Sequence, residues 1–323
     1  MDRLTGAMEA ETFAAAAGLT GIDTRMAGRT KVTSAYLVSA REPALVETGP
    51  STSGDSVLAG LQSLGLGPQD LAHIVVTHIH LDHAGGVGRL AARFPTATVW
   101  VHERGAPHLA DPTKLVASAA RVYGEERMAE LFGPGDAVPS GRLAAVDEGD
   151  SIALGDRQLD VMYTPGHASH HVSLADSRTG AVFTGDALGI HLPDTRVLRP
   201  ATPPPDVDVE LGVESIERIR KRAETFLMFS HFGPVEEVDE LCELASKRLR
   251  SWADIVREAM DETEDLARIA QILADRTAPE FEGAPPGADL GRYEILSGMD
   301  VNAAGLVRYW TKRREREAQP TSR

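Results

Sequence analysis

The sequence predicts an α/β protein of stacked sheets flanked by helices, with a helical tail. Three observations carry this reading. Short apolar runs rich in β-branched residues recur between helical or turn-rich segments as far as Pro234. Beyond Pro234 the pattern is helical, with one break at "APPGADLG". Four of the apolar runs end in a metal-capable side chain beside a glycine, as expected where a rigid sheet holds reactive groups on its end loops.

The elements follow in order. "TSAYLVSA" and "PALVETG" predict a hairpin, and "SVLAGLQSLGLGPQDL" a helix with a glycine stop. "HIVVTH" reads as a strand, "GGVGRLAARFP" as a short helix and "ATVWVHE" as another strand. Residues 111–141 read as one or two helices ending at Gly133-Pro134-Gly135. Strands resume at "SIALG", "QLDVMYT", "HVSLAD" and "GAVFTGD". The proline-rich loop 199–206 leads to a helix over 208–223 and a strand at "TFLMFSH". The closing run "KRREREAQ" reads as a solvated helix face.

Composition narrows the function. With 323 residues and 42% hydrophobic content the chain can bury a sizeable core. Its net charge of −15 repels phosphate backbones, so the expected partner is a small molecule and not nucleic acid. Cys242 is the single cysteine, so no intrachain disulfide forms, and its helical context suggests a small buried hydrophobe. The N-terminus has acidic residues ahead of a weak alanine run, a poor signal peptide, and no run reaches membrane-spanning length. The expectation is a cytoplasmic protein without membrane partners.

The densest chemistry lies in "HIVVTHIHLDHAGG". Residues i and i+2 of an extended segment point the same way, so His78 and His80 can approach one metal together. A turn at Leu81 would send Asp82 and His83 toward a second. His167 after "YTPG", Asp186 after "FTG" and His231 after "FLMFS" stand in matching contexts. Five histidines and two aspartates, without a thiolate, suit zinc, with iron or manganese as alternatives. One bridging carboxylate would let seven ligands serve two ions and leave room for a shared water.

"THIHLDHAGG", "TPGH", "FTGD" and "SHFG" together resemble the metallo-β-lactamase-fold hydrolase superfamily, over roughly residues 30–235. The resemblance implies an αββα four-layer sandwich with a dinuclear site. It implies that His78, His80 and His167 hold one metal, that Asp82, His83 and His231 hold the other, and that Asp186 bridges. Residues 1–240 then form the catalytic domain, with 111–141 as a helical insertion, and 241–323 a helical extension packed on it. Glu47 stands where the superfamily often carries Asp.

The expected reaction is hydrolysis of a thioester, ester, lactone or amide by water activated between two divalent ions, with Asp82 orienting that water. His191 is a candidate acid for the leaving group, the competing reading being a solvated loop histidine. His171 is a candidate to orient a ligand by hydrogen bonding. Glyoxalase-II-type thioesterases are similar at "THIHLDHAGG" and "FTGD", but "ALGIHLPDTR" stands where they carry cysteine and arginine. Acyl-homoserine lactonases often carry a tyrosine where this chain has Gly189. Two other classes stay open: a one-iron persulfide dioxygenase, and a metal-bearing binding protein without turnover. Tyr123, Met128 and Phe132 either line an apolar pocket or pack locally. Tyr293, Leu296, Met299, Leu306, Tyr309 and Trp310 either cap the domain or form a homodimer contact.

Overall fold

The structure, a computed structural model, describes residues 11–296 and 298–318. The reading of the N-terminal leader therefore rests in part on residues outside the described ones. The chain divides into two compact units, residues up to 146 with 151–159, and residues 147–150 with 160 onward.

The first unit is built on a seven-stranded sheet: β1 (Thr12–Ala16), β2 (Leu19–Asp23), β3 (Ser34–Val38), β4 (Ala44–Val46), β5 (His73–Val75), β6 (Thr98–His102) and β7 (Leu143–Val146), in that spatial order. β1 to β4 pair antiparallel, so the expected hairpin is β3–β4, with Tyr36 opposite Val46. From β4 to β7 the pairing is parallel, and each parallel step needs a crossover. α1 (Gly54–Ser63) makes the first, and α2 (Leu81–Ala84) with α3 (Val87–Arg93) the second. α4 (Ala106–Ala110), α5 (Thr113–Tyr123) and α6 (Glu125–Leu131) make the third, so the 111–141 segment also serves as a connection. Ile22, Leu45, Ile74, Leu90 and Phe94 pack the core between sheet and helices. Met128 and Phe132 are buried, and Tyr123 lies against Phe132 at 5.1 Å between ring centroids, which is local packing.

The β1–β2 hairpin was not legible. "TFAAA" carries an alanine run with no strand preference, and ladder pairing, with Thr12 opposite Ile22, decides its state. His73 begins β5, and its Nδ1 accepts from the Trp100 indole at 3.0 Å, which requires a neutral ring. Burial lowers its pKa, against the raising effect of Glu42. A folded-state pKa below the unfolded value contributes stability that is present above the unfolded pKa, about 6.5, and lost as pH falls through the folded one. Melting temperatures of His73→Gln should therefore fall less steeply than wild type on acidification below that value; parallel curves would remove His73 from the acid response.

The division between the units falls in the hairpin of β8 (Ser151–Ala153) and β9 (Gln158–Tyr163). β10 (Val172–Asp176), β11 (Val182–Gly185), β14 (Leu227–Phe229) and β15 (Gly233–Val235) continue the second sheet, in the order β15-β14-β11-β10-β9-β8. β12 (Ile190–Leu192) and β13 (Val197–Arg199) form a separate hairpin inside what reads in the sequence as a loop. β11 and β14 are parallel and joined across α7 (Val209–Arg222), which Asp208 caps by accepting from the Leu211 N–H. Val182, Ile216, Ile219, Leu227 and Phe229 pack that layer.

After β15 the chain is helical: α8 (Val238–Glu262), α9 (Leu266–Thr277), α10 (Arg292–Leu296) and α11 (Met299–Ala318). Trp252, Val256, Ile269, Leu273 and Leu306 form their shared core. Leu306 and Tyr309 thus pack within this unit. Cys242 is buried in α8, and burial pushes its thiol up to about 12, which leaves it without thiolate character. Among the described residues no helix is long and apolar enough to cross a membrane.

Candidate metal centre

The ligand-capable residues divide between the units. In the first, the chain leaves β5 at Val75, bends at Thr77, is extended at His80 and enters α2 at Leu81. This is the turn the spacing suggested, and it sets Asp82 and His83 on a helical turn while His78 and His80 precede it. The His78 ring centroid lies 4.7 Å from that of His80 and 4.0 Å from that of His83. His83 Nε2 lies 3.6 Å from an Asp82 carboxylate oxygen. Gly85 lets the following backbone close in: a Cβ there would stand 2.3 Å from the Leu81 carbonyl and 3.1 Å from Pro50 Cα.

Hydrogen bonds orient this half. The Thr77 hydroxyl donates to Glu47 at 2.5 Å. Its single proton is then committed, so the 3.0 Å contact with His78 Nδ1 has the ring as donor. His78 is held in the tautomer whose Nε2 lone pair is available to a metal. Glu47 also sets an oxygen 3.4 Å from His83 Nδ1. Its backbone adopts φ 65°, and its N–H donates to the Val75 carbonyl. That left-handed turn lets the Glu47 side chain reach both Thr77 and His83. Thr48 adds two hydrogen bonds to the His83 carbonyl, from its N–H at 2.9 Å and its hydroxyl at 2.7 Å.

In the second unit, Asp186 follows β11 and is nearly buried. One of its oxygens lies 3.5 Å from His167 Nε2, and the other 3.2 Å from His231 Nε2. His167 Nδ1 donates to the Ala201 carbonyl at 2.9 Å. A carbonyl only accepts, so Nδ1 carries a proton, and in the neutral ring Nε2 presents a lone pair toward the carboxylate. At that distance the facing nitrogen and oxygen are bridged either by a proton or by a metal ion.

His171 is buried and meets the backbone of Asp186. Its Nε2 accepts from the Asp186 N–H at 3.0 Å. The proton is therefore on Nδ1, which meets the Thr164 hydroxyl at 2.8 Å. Thr164 meets Ser173 at 3.0 Å, and Ser173 donates to the Thr184 carbonyl at 3.3 Å. Read back from that carbonyl, every proton in the chain has one direction. Thr164 and Ser173 carry no signal in the sequence beyond their position on neighbouring strands.

His191 is no solvated loop residue: it sits in β12, buried, with its ring 5.3 Å from Phe229. Burial, ahead of the opposing effect of Glu237, pushes it down to about 4, so the ring is neutral near pH 7. Its backbone brackets His231: the His191 N–H donates to the His231 carbonyl at 3.1 Å, and its own carbonyl accepts from Phe232 N–H at 3.0 Å.

The residues fit a divalent metal. Both halves offer imidazoles with carboxylates alongside, and one ring nitrogen each of His78 and His167 is committed to a hydrogen bond, the arrangement usual for metal-ligating histidines.

The metallo-β-lactamase superfamily model matches residues 28–231. A metallo-β-lactamase fold-containing protein of Sulfurisphaera tokodaii is 31% identical over 170 residues, covering 51% of this chain and 62% of that protein. A hydroxyacylglutathione hydrolase of Synechococcus sp. is 29% identical over 47% of this chain and 48% of its own length. An acyl-coenzyme A thioesterase of Gallus gallus is 32% identical over 38% of this chain and 44% of its own. The chain thus spans only 44% to 62% of the length of these relatives. Among solved structures, an archaeal metallo-β-lactamase superfamily protein from Sulfolobus tokodaii superposes with TM-score 0.66 at 24% identity, over 90% of this chain and 99% of that one. A metallo-β-lactamase family protein from Thermus thermophilus gives 0.64 at 20%, over 92% and 94%. At these identities the neighbours speak for the fold alone, and it is the fold class the sequence led us to expect, α/β with helices at the C-terminal end. The chain belongs to the metallo-β-lactamase superfamily.

Proposed function

We propose that this chain is a dinuclear zinc hydrolase acting on a thioester. The observation that carries the reading is Asp186, a nearly buried carboxylate set between the Nε2 atoms of His167 and His231. His78, His80 and His167 would hold one ion, Asp82, His83 and His231 the other, and Asp186 would bridge. Bound there, two divalent ions supply an activated water and polarise a carbonyl.

The chain's own residues do the rest. Asp82 is the more exposed of the two ligand carboxylates, with 14% of its side chain accessible against 6% for Asp186. It is suited to orient the attacking water and take its proton. Glu47, through Thr77, holds His78 in its ligating tautomer, and His171 holds the Asp186 backbone. His191 steadies His231 through the backbone. A thiolate departs near neutral pH without a donated proton, since free thiols ionise at about 8.5. Thioesters therefore ask less of an acid than amides or lactones do, and two of the relatives are named an acyl-coenzyme A thioesterase and a hydroxyacylglutathione hydrolase.

The test is elemental analysis of protein purified without added metal or chelator, followed by assay of acyl-coenzyme A, hydroxyacylglutathione, ester and lactone substrates. About two zinc or manganese ions per chain and fastest turnover of a thioester are expected. A single iron with oxygen uptake would move the reading to persulfide oxidation. Full metal occupancy with no turnover would point to a binding protein.

A further inference from the structure

We infer that the C-terminal helix α11 positions the metal ligand His167 through the segment 201–203, with Asn302 as the positioning residue. The inference rests on the metal-centre reading above and adds a part that lies outside the residues the family model matches.

The connection runs through atoms of the second unit only. The Ala201 carbonyl fixes the tautomer of His167. The next residue, Thr202, is held by Asn302: its N–H donates to Asn302 Oδ1 at 2.7 Å, and its hydroxyl meets the same oxygen at 2.9 Å. Asn302 is itself buried, and its amide donates to the Gly298 carbonyl, which settles which way the side chain points.

A second observation is steric. One turn on, at Gly305, α11 approaches the same segment so closely that a Cβ would stand 1.9 Å from the Thr202 carbonyl oxygen and 2.9 Å from the Pro203 carbonyl carbon. Asn302 and Gly305 are three residues apart and share a helix face. One grips the backbone and the other lets the helix reach it. The same helix continues along the segment, with Arg308 and Lys312 donating to the Pro205 carbonyl, each at 3.1 Å.

The segment has few other ways to hold its place. It follows β13 and carries three consecutive prolines, 203 to 205, which have no N–H to donate. Arg199 anchors its start, buried against Trp252 and Phe281 and donating to Thr277 at 2.8 Å. Between that anchor and the prolines, the Thr202 N–H is the donor that meets α11. Without Asn302, the Ala201 carbonyl can turn away from His167, and the ring can rotate or change tautomer.

The test is zinc affinity of the full chain, measured by competition with a chromophoric chelator. Asn302→Ala should weaken one zinc site about 10- to 100-fold, the range seen when a hydrogen-bond partner of a ligating histidine is removed. Asn302→Asp keeps the accepting oxygen and should recover most of that affinity. Leu273→Ala, in the same helical core but away from the segment, should lower the melting temperature and leave zinc affinity unchanged. The d–d spectrum of the cobalt-substituted protein should shift in Asn302→Ala and not in Leu273→Ala.

Equal weakening in Asn302→Ala and Leu273→Ala would overturn the inference, because affinity would then only follow stability. Wild-type zinc affinity in Asn302→Ala would overturn it too, with the metal centre intact. Failure of the wild-type protein to bind zinc at all would instead remove the reading on which it rests.

Discussion

Asp186→Ala is expected to lose at least one metal ion per chain and to lower turnover on the order of 10³-fold, about 4 kcal/mol of transition-state stabilisation. The size follows from its place. Its two oxygens face His167 and His231, one toward each. On the proposed reading, removing it would take a negative charge from between two cation sites and one donor from each. The fold should survive, because a nearly buried carboxylate contributes little to stability without its cation, and neighbouring strands β11 and β14 are held by their own ladder. Asp186→Asn keeps the shape and one accepting oxygen but not the charge, and should fall between alanine and wild type. Metal content, circular dichroism and kcat/KM on the same preparation separate these cases. Two metals and full turnover in Asp186→Ala would end the bridging role.

Trp252→Ala should be the most damaging single change to the helical part of the chain, at about 3–5 kcal/mol. The indole is 1% exposed. It packs with Val256, Ile269 and Leu306, and its N–H donates to Glu280 at 2.9 Å. The ring also carries Arg199, whose guanidinium lies 4.7 Å from its centroid with Phe281 on another side at 4.3 Å. Removing the indole opens a cavity, takes one hydrogen bond from the Glu280 carboxylate and removes part of the stacking on a buried cation. For a domain of this size each kcal/mol moves the melting temperature by roughly 2–4 °C, so a fall of roughly 10 °C is expected in a thermal melt. Trp252→Phe, which keeps most of the volume and the ring face, should lose much less. A shift of only a degree or two in the alanine variant would show that the helices are held chiefly by other contacts.

The strands and most helices were legible because their signals are local. "HIVVTH", "HVSLAD" and "FLMFS" are apolar runs of strand length beside turn residues, and each contains a strand, though β5 takes only the first three residues of "HIVVTH". Alanine-rich β1 and the β12–β13 hairpin were not, since the first carries no strand preference of its own and the others are only three residues each, and all exist through their pairing. The helix expected immediately after Pro234 starts instead at Val238, because residues 233–235 first pair with β14.

What the sequence by itself determined was the inventory: which side chains can bind metal, and that they gather in loops after apolar runs, close to glycines. Spacing of two along a strand and a turn after it are properties of neighbouring residues, and neighbouring residues are what a sequence displays. Only the tertiary structure decided how those side chains are held. Glu47 reaches His83 through a left-handed backbone turn, and His171 grips a backbone N–H. The Ala201 carbonyl fixes His167, and Asn302 grips Thr202 across a hundred residues of chain. All four of these contacts use a backbone group or conformation. Every residue has a backbone, so no residue type announces that its carbonyl or N–H will be the one a ligand leans on.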